Sequence, residues 1–290
     1  MRHSVAIVGC GKVGTSLGIY LAKAGYELAG FASKSLSSAK RAAGIIETVN
    51  FSDVPWEITK DADIIFLTTP DRAIEDTCSS ISSHSGFRKD SVVFHCSGAL
   101  SSTILASAKD CGAFTGSMHP LQTFASAELK HNPFQGIVIS VEGDDRAVFA
   151  AKEIAANLDA ESFTIKTDAK TLYHASAVVA SNYLVTLLDM SFRLIGTAGI
   201  PGKDAFKVLK PLIENTLSNI EQVGIPKALT GPIARGDAET VEKHIEEIGS
   251  KIPDLLELYK TLGLHTIDIA MTGSGLSKSS AQKLKKIFTD

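Results

Sequence analysis

Short apolar runs alternate with amphipathic stretches of about ten to fifteen residues through the first half of the chain. Because strands that alternate with helices form parallel sheets, this half predicts a doubly wound parallel sheet of the α/β class. The last two strands are expected to extend the sheet beyond its core. The apolar runs that predict strands span residues 4–9, 27–32, 63–70, 91–95, 113–118, 137–141 and 162–165, and residues 13–24 predict the first helix.

The pattern changes near residue 167, and helical signals alone follow it. Residues 168–198 contain no proline and no glycine before Gly196, which predicts one helix about 45 Å long. Its part from Ala175 to Leu188 is apolar nearly all round, which predicts burial on most sides. Further helices are predicted at 202–222, at 237–248 with Asp237 as N-cap, at 252–264 and at 277–288.

This change of pattern predicts two domains, an α/β domain over residues 1–166 and an all-helical domain over residues 167–290. A helical domain of this size leaves apolar surface to cover, so we expect a homodimer formed through it.

Composition places the chain among ordinary soluble proteins, with 44% hydrophobic residues, 21% charged residues and a net charge of −3. We therefore expect neither a nucleic-acid nor a membrane partner, and no apolar run approaches the roughly 18 residues that span a bilayer. Because a strand is predicted from residue 4, we expect no signal peptide before it. The four cysteines show no metal-type spacing, so no metal site is expected and a reducing cytoplasm is predicted.

A glycine-rich turn joins the first strand to the first helix. Gly9, Gly11 and Gly14 form the G-x-G-x-x-G fingerprint of dinucleotide binding in its required context of strand, turn and helix. Lys12 and Val13 open the helix, whose N-terminal N–H groups attract phosphate. These five residues are predicted to form the cofactor-binding turn, in which the second glycine lets the pyrophosphate approach the backbone.

The end of the second strand discriminates between the two nicotinamide dinucleotides. NAD-binding versions of this motif carry an Asp or Glu there, which binds the ribose 2′-hydroxyl. This chain carries Ser33, Lys34 and Ser35 instead, and a lysine with two hydroxyls suits a 2′-phosphate. NADP(H) is therefore the predicted cofactor. The alternative is that the two serines cap the next helix and Lys34 is solvated, which is compatible with phosphate binding.

Two further loops follow predicted strands and are expected near the cofactor. Thr68, Thr69 and Pro70 form a stiff, hydroxyl-rich loop, although the same residues also suit a helix start with Thr69 as N-cap. His95 and Ser97 follow the next strand and are predicted near the nicotinamide. The alternative for His95 is a purely structural hydrogen-bonding role.

Hydride transfer to a small molecule requires a proton donor beside the nicotinamide. His119 is held in an extended conformation by the proline that follows it, and the segment from there to Pro133 predicts an active-site loop. Lys170, His174 and Asn182 lie close to one side of the long predicted helix. The alternative for His119 is that it only holds a loop in place. The alternative for Lys170 and His174 is a solvated first helical turn, and for Asn182 it is a buried side chain that satisfies backbone groups.

With these residues in view, the chain resembles a family of two-domain NADP or deazaflavin-dependent oxidoreductases. The resemblance implies a Rossmann-like N-terminal domain and a helical C-terminal domain of undefined function, similar to that of 6-phosphogluconate dehydrogenases. It covers nearly the whole chain and leaves the substrate and any second cofactor open. The segments that carry it are 9–14, 95–98, 119–122, 173–182, 229–232 and 235–237.

Wider resemblances bear on the mechanism. Lys170-x-x-x-His174 is similar to the K-x-x-x-N of β-hydroxyacid dehydrogenases and ketopantoate reductases, in which the lysine is an acid/base and the asparagine orients substrate. The segment ending in His119-Pro120 is similar to one in prephenate dehydrogenases. These resemblances imply an NADP(H)-dependent oxidoreductase acting on a small carbonyl, imine or hydroxyacid. A dehydrogenase of a cyclic acid and an NADP(H)-binding sensor without turnover are the alternatives.

Overall fold

The computed structural model describes residues 3–46, 50–124, 131–273 and 275–290. The chain divides into two compact units, residues 1–180 and residues 181–290. This boundary lies beyond the predicted one at residue 166. The first turns of the long helix belong to the first unit because Lys170 is buried there and donates a hydrogen bond to Ser117 of the sheet.

The first unit is built on a sheet that contains eight strands among the described residues, in the order β3-β2-β1-β4-β5-β6-β7-β8. Seven of them match the strands predicted from the sequence. The exception is β3, whose two residues are too few to show a pattern. The strands are β1 (Ser4–Val8), β2 (Glu27–Ala32), β3 (Phe51–Ser52), β4 (Ile64–Leu67), β5 (Val92–His95), β6 (Phe114–Pro120), β7 (Val138–Gly143) and β8 (Glu161–Thr164).

One strand pair departs from the predicted parallel sheet. Strand β7 is antiparallel to β6, with His119 opposite Ser140 and Ser117 opposite Glu142, whereas the other pairs are parallel. The predicted doubly wound parallel sheet is therefore confirmed, with this one antiparallel pair as an addition that the sequence did not predict. An antiparallel neighbour needs no crossover helix, and residues 121–124 and 131–137 contain none.

Helices cover both faces of the sheet, as predicted. Alternate residues of β1 point to opposite faces, so Val5 and Ile7 join one apolar core while Ala6 and Val8 join the other. The helices of this unit are α1 (Lys12–Lys23), α2 (Leu36–Gly44), α3 (Pro55–Thr59), α4 (Asp71–Ser83), α5 (Ala106–Asp110), α6 (Asp145–Asn157) and α7 (Lys170–Val178).

The second unit is helical throughout its described residues, and Asp237 caps its fifth helix by accepting a hydrogen bond from the Thr240 N–H. This cap was predicted from the sequence. Two short helices of four residues each were not predicted. The helices are α8 (Leu184–Thr197), α9 (Gly202–Val223), α10 (Ile225–Ala228), α11 (Pro232–Arg235), α12 (Ala238–Lys251), α13 (Leu256–Gly273) and α14 (Lys278–Thr289).

The long helix predicted from residue 168 to residue 198 is present, with a π-helical turn over Val179–Tyr183 between α7 and α8. The prediction that Ala175 to Leu188 is buried is wrong for the single chain. Val179, Tyr183 and Val185 are more than half exposed, and no residue of this stretch is buried. The apolar character of a helix does not show whether its residues are buried by the same chain or by another molecule.

Helical residues Thr167–Thr197 are long and apolar enough to span a membrane by length and composition, and 6% of the most apolar window is buried in the single chain. The expectation that no apolar run approaches this length is therefore wrong. The first turn of this segment contains Lys170, which is buried against the sheet. A core helix or an interface helix passes the same test of composition.

Candidate active site

The carboxyl ends of four neighbouring strands lie side by side at one edge of the sheet. Strands β1, β4, β5 and β6 are parallel neighbours, with Leu67 opposite His95 and His95 opposite Ser117. Their ends carry the glycine-rich turn, the Thr68 loop, the loop after His95 and His119. Open parallel sheets bind ligands at this edge, so the fold brings the predicted segments to the expected place.

The three glycines of the turn have different surroundings. Gly9 has a φ of +109°, and a Cβ there would lie 2.6 Å from the Thr68 carbonyl carbon. A Cβ on Gly14 would lie 2.1 Å from the carbonyl oxygen of Gly9. In contrast, a Cβ on Gly11 would meet no protein atom within 4 Å. The first and third glycines therefore permit close packing of the chain, and the second faces open space.

That space is part of a cavity of about 1140 Å³, large enough for a dinucleotide. Gly14, Ser35, His95 and Ser97, which were also predicted to bind the cofactor, do not line it. The predicted residues that line the cavity are Gly9, Gly11, Lys12, Val13, Ser33, Lys34, Thr68, Thr69 and Pro70.

The hydroxyls of Thr68 and Thr69 have different roles. Thr68 donates a hydrogen bond of 2.6 Å to the carbonyl of Gly9, which fixes the loop against the turn. The Thr69 hydroxyl is buried and has no hydrogen-bond partner among the described residues. Since Pro70 is the N-cap residue of α4, Thr69 does not fill the capping role that was the alternative. Its unpartnered hydroxyl fits a bound ligand.

The structure adds to this cavity a carboxylate that the sequence pattern did not reveal. Asp53 follows β3 and lines the same cavity as Ser33 and Lys34. Strand β3 pairs with β2, and the Ser33 N–H donates to the carbonyl of Ser52, so the two strand ends lie together. The loop after β2 carries no carboxylate, but the neighbouring strand supplies one.

His95 and Ser97 are buried and bonded within the protein. The Ser97 N–H donates to Nδ1 of His95 at 3.2 Å, which leaves the ring proton on Nε2 when His95 is neutral. The Ser97 hydroxyl donates to Asp71 at 2.9 Å and accepts from the N–H groups of Ala99 and Leu100. These bonds show that Ser97 shapes the loop, whereas the buried Nε2 of His95 has no hydrogen-bond partner among the described residues.

The next strand end carries a group of aromatic side chains, here termed the imidazole cluster: His119, Tyr173 and His174 around Gly98. The hydroxyl of Tyr173 and Nδ1 of His119 share a hydrogen bond of 2.9 Å. A Cβ on Gly98 would lie 2.6 Å from Nδ1 of His174 and 2.8 Å from Nε2 of His119. Gly98 therefore lets both rings approach the loop. Nδ1 of His174 is buried and has no hydrogen-bond partner among the described residues.

A second group, the buried charge cluster, consists of Lys170, Ser117, Glu142 and Ser102. Lys170 is 2% exposed and Glu142 is 1% exposed. The ammonium of Lys170 donates to the Ser117 hydroxyl, and Glu142 accepts 2.8 Å hydrogen bonds from the N–H and the hydroxyl of Ser102. The solvated first turn that was the alternative for Lys170 is therefore not observed. Sequence reasoning missed Glu142 because a single carboxylate in an apolar strand gives no motif.

Burial sets the protonation of these groups. It lowers the pKa of His119 to about 4, and the charges of Lys170 and His174 act in the same direction. The pKa of His95 falls to about 4 through burial and Lys170. Burial also lowers the pKa of Lys170 to about 8, against the opposing effect of Glu142. At neutral pH both histidines are therefore uncharged and Lys170 is mostly charged.

Two further predictions concern Asn182 and the segment after His119. Asn182 belongs to the second unit, where it is exposed in the π-helical turn. The predicted active-site loop after His119 includes residues 125–130, which lie outside the described residues. Among the residues that the structure describes, no group of three or more His, Cys, Asp or Glu could hold a metal ion.

Comparison with known families agrees with this architecture. Residues 1–120 match the model of a Rossmann-like domain, and residues 137–266 match a domain of unknown function, DUF2520. The chain is a Rossmann-like domain followed by a DUF2520 domain. The two-domain resemblance drawn from the sequence is thereby confirmed. The DUF2520 match includes Glu142 and Lys170 and the Rossmann-like match includes Ser117 and His119, so residues of both contribute to the site.

Solved structures show the same fold. The chain is 28% identical to protein TM1727 from Thermotoga maritima, with a TM-score of 0.71 over 92% of this chain and 98% of that one. It is 21% identical to a provisionally assigned NADP oxidoreductase, BF3122, from Bacteroides fragilis, with a TM-score of 0.72 and the same coverage. A reductive aminase from Aspergillus terreus, solved in complex with NADPH, is 12% identical, with a TM-score of 0.61 over 100% of this chain and 93% of the other. No curated protein matches this chain.

Proposed function

We propose that this protein is an NADP(H)-dependent oxidoreductase that transfers hydride between C4 of the nicotinamide and a small carbonyl, imine or hydroxyacid. The observation that carries the proposal is the open space over Gly11, in a cavity that Ser33, Lys34 and the unpartnered Thr69 hydroxyl also line. The fold shared with BF3122 and with the NADPH-bound reductive aminase supports an oxidoreductase.

The residues of the cavity fit a dinucleotide. The turn around Gly11 and the start of α1 would hold the pyrophosphate, Thr69 would donate or accept a hydrogen bond, and Lys34 would meet a 2′-phosphate. When bound, the nicotinamide supplies or accepts the hydride. The protein must then position the substrate and move one proton.

Cofactor choice is tested by titrating the purified protein with NADPH and NADH and following nicotinamide fluorescence. We expect NADPH to bind at least about tenfold more tightly, and Lys34→Asp to abolish that preference by replacing a cation with an anion beside the 2′-phosphate. Lys40→Asp, an exposed lysine of α2 that does not line the cavity, is the matched control. No binding of either nucleotide would overturn the proposal.

Asp53 is expected to reduce the preference for NADPH, because its carboxylate faces the same cavity as Lys34. Asp53→Asn should tighten NADPH binding about threefold, the size of one solvent-screened charge interaction, and leave NADH binding unchanged. The same fluorescence titration measures both. An equal gain for the two nucleotides would show that Asp53 acts elsewhere than at the 2′-position.

We assign the proton transfer to the imidazole cluster. Nδ1 of His174 is unpartnered beside Gly98, so His174 is the residue that gives the proton to the carbonyl oxygen or imine nitrogen and takes it back in the reverse direction. His119, bonded to Tyr173, orients the substrate. Lys170 is 2% exposed and donates a hydrogen bond to Ser117, so it is less accessible to a substrate than His174 is. That Asn182 holds the substrate stays a prediction.

His174→Gln is expected to lower turnover about 100-fold or more and to leave NADPH affinity unchanged, because general acid–base groups contribute factors of this size to the chemical step alone. The measurement is NADPH oxidation on the carbonyl, imine or hydroxyacid that a substrate panel identifies. Full turnover in the variant would show that His174 does not transfer the proton. Tight NADPH binding with no turnover on any substrate would favour the sensor alternative.

We further propose that a second copy of this chain covers the apolar surface of the second unit. Helix α9 has 22 residues, of which only Ala205 is buried, while Phe206, Leu212 and Leu217 are more than half exposed. A helix of about 33 Å with such a surface needs an apolar cover. The same surface on another copy is self-complementary around a two-fold axis. This proposal retains the expected homodimer, with the cytoplasm as the proposed location.

A further inference from the structure

The dinucleotide cavity is bordered by an aromatic side chain to which the proposed hydride transfer assigns no role. Trp56, the only tryptophan of the chain, lies just after β3 in the first turn of α3 and is half-buried at the cavity. One side of α4 borders the same cavity with residues spaced by four and three positions, namely Ala73, Thr77 and Ser80.

The indole of Trp56 is stacked flat on the imidazole of His84, with ring centroids 3.7 Å apart and an angle of 4° between the planes. Aromatic pairs generally prefer offset or edge contacts, so neighbouring groups must hold this arrangement. Nδ1 of His84 donates a hydrogen bond of 2.8 Å to the carbonyl of Ser80. A Cβ on Gly86 would lie 2.7 Å from the Cβ of Trp56, so the glycine permits the close approach.

We term this pair, Trp56 and His84, the base platform. Trp56 borders the cavity and His84 does not, so the imidazole supports the indole from outside the cavity. A stacked pair covers one face of the indole, and the other face can accept a further flat ring.

The order of the strands assigns this part of the cavity to one half of the dinucleotide. Lys34, which is proposed to meet the 2′-phosphate, follows β2, and Trp56 follows the adjacent β3. His119 lies on β6, five strand spacings from β3, which is about 24 Å at about 4.8 Å for each spacing. One ring cannot contact both ends. Because the nicotinamide is proposed at the imidazole cluster, the ring beside Trp56 belongs to the half that carries the 2′-phosphate.

We propose that the base platform binds the adenine of NADP(H), which stacks on the free face of the Trp56 indole. The inference deepens the proposed function and rests on it for the identity of the ligand. Stacking on an aromatic side chain contributes a factor of about ten to 100 to the affinity for a base. The hydroxyls of Thr77 and Ser80 supply hydrogen bonds to the edge of the adenine.

The test uses adenosine 2′,5′-bisphosphate, the adenosine half of NADP(H) without its nicotinamide. Because the chain has a single tryptophan, indole emission reports on Trp56 alone. We expect saturating bisphosphate to quench this emission and to protect the indole from acrylamide, since a stacked base covers its free face. Nicotinamide mononucleotide, which lacks adenine, is the matched ligand and should do neither.

Substitution of Trp56 tests the affinity by isothermal titration calorimetry with the same bisphosphate. Trp56→Leu removes the flat ring and keeps an apolar side chain, so it should weaken binding about tenfold or more. Trp56→Phe can still stack and should bind within about threefold of the wild-type protein. Phe149→Leu, which changes an exposed aromatic residue of α6 that does not border the cavity, is the control and should bind normally.

His84 is a positioning residue in this proposal, because it acts through Trp56. His84→Ala should weaken bisphosphate binding about threefold and reduce the near-ultraviolet circular dichroism of Trp56 in the ligand-free protein, since the indole loses its fixed orientation. His84→Phe supplies a ring that stacks and should restore both. Loss of stability in His84→Ala with both of these readouts unchanged would contradict the positioning role.

Three outcomes would overturn the inference. They are quenching by nicotinamide mononucleotide instead of the bisphosphate, equal affinity of wild-type and Trp56→Leu protein for the bisphosphate, and NADPH binding without any binding of the bisphosphate. The first two leave cofactor binding to be decided by nicotinamide fluorescence. If the bisphosphate quenches Trp56 but no substrate is turned over, the proposed hydride transfer fails and the base platform stands.

Discussion

Replacing Gly11 by leucine is expected to weaken NADPH binding by more than about 100-fold while leaving the protein folded, which corresponds to about 2.7 kcal/mol of binding free energy. A Cβ at this position meets no protein atom within 4 Å, and the backbone φ of −75° is one that any residue adopts. The leucine side chain would therefore enter the cavity without strain and occupy the space proposed for the pyrophosphate. Nicotinamide fluorescence measures the binding, and urea unfolding followed by circular dichroism measures the stability.

The matched control for this prediction is Gly14→Ala in the same turn. Its Cβ would lie 2.1 Å from the carbonyl oxygen of Gly9 and 2.2 Å from the Thr68 hydroxyl, so the turn and the helix would have to separate. This variant is expected to lose about 2–4 kcal/mol of unfolding free energy, as overpacked sites do. If Gly11→Leu binds NADPH as well as the wild-type protein, the cavity is not the nucleotide site. If it loses stability instead, the space over Gly11 is not open in solution.

The second large effect concerns the apolar surface of the second unit. The wild-type protein is expected to run at about twice its chain mass of 30.7 kDa in light scattering coupled to size exclusion. Leu212→Glu/Ile220→Glu should convert it to the monomer at micromolar concentration, because each carboxylate placed in an apolar interface must be desolvated. Both side chains are exposed in the single chain, so the fold of the unit should survive.

Lys207→Glu is the control for this experiment. Lys207 lies on the same helix about 140° around its axis from Leu212, on the polar side, and the substitution introduces the same charged group. It should leave the dimer intact. A wild-type chain that is monomeric without detergent would contradict the homodimer. Co-sedimentation of the wild-type protein with anionic or neutral vesicles would instead show that a bilayer covers the apolar helix.

Local patterns predicted the parts of this protein that local physics determines. The strand over residues 4–8 and the helix after it follow from an apolar run, a glycine-rich turn and an amphipathic segment adjacent in sequence. Asp237 was predicted as an N-cap because capping uses a side chain and an N–H three residues apart. The helical second unit was predicted from its uninterrupted periodicity. None of these features requires knowledge of a distant residue.

The same local reasoning failed where burial depends on the rest of the molecule. The apolar stretch Ala175 to Leu188 was expected to be buried and is exposed in the single chain. Lys170, in contrast, had a solvated helix turn as its alternative and is almost completely buried. A hydropathy pattern indicates how strongly burial would stabilise a segment. The packing of the whole chain decides whether that segment is buried.

Neighbouring residues encode turns and periodicity, so a dinucleotide-type turn, an α/β half and a helical half could all be predicted without knowledge of the fold. Which distant side chains share a site follows only from the way the strands pair. The tertiary structure brought Asp53 into the cavity that Lys34 also lines by pairing β3 with β2, and it placed Glu142 opposite Ser117 by turning β7 antiparallel to β6. Strand pairing joins residues far apart in the chain through backbone hydrogen bonds that are the same at every position. A local sequence pattern therefore does not identify the partner strand.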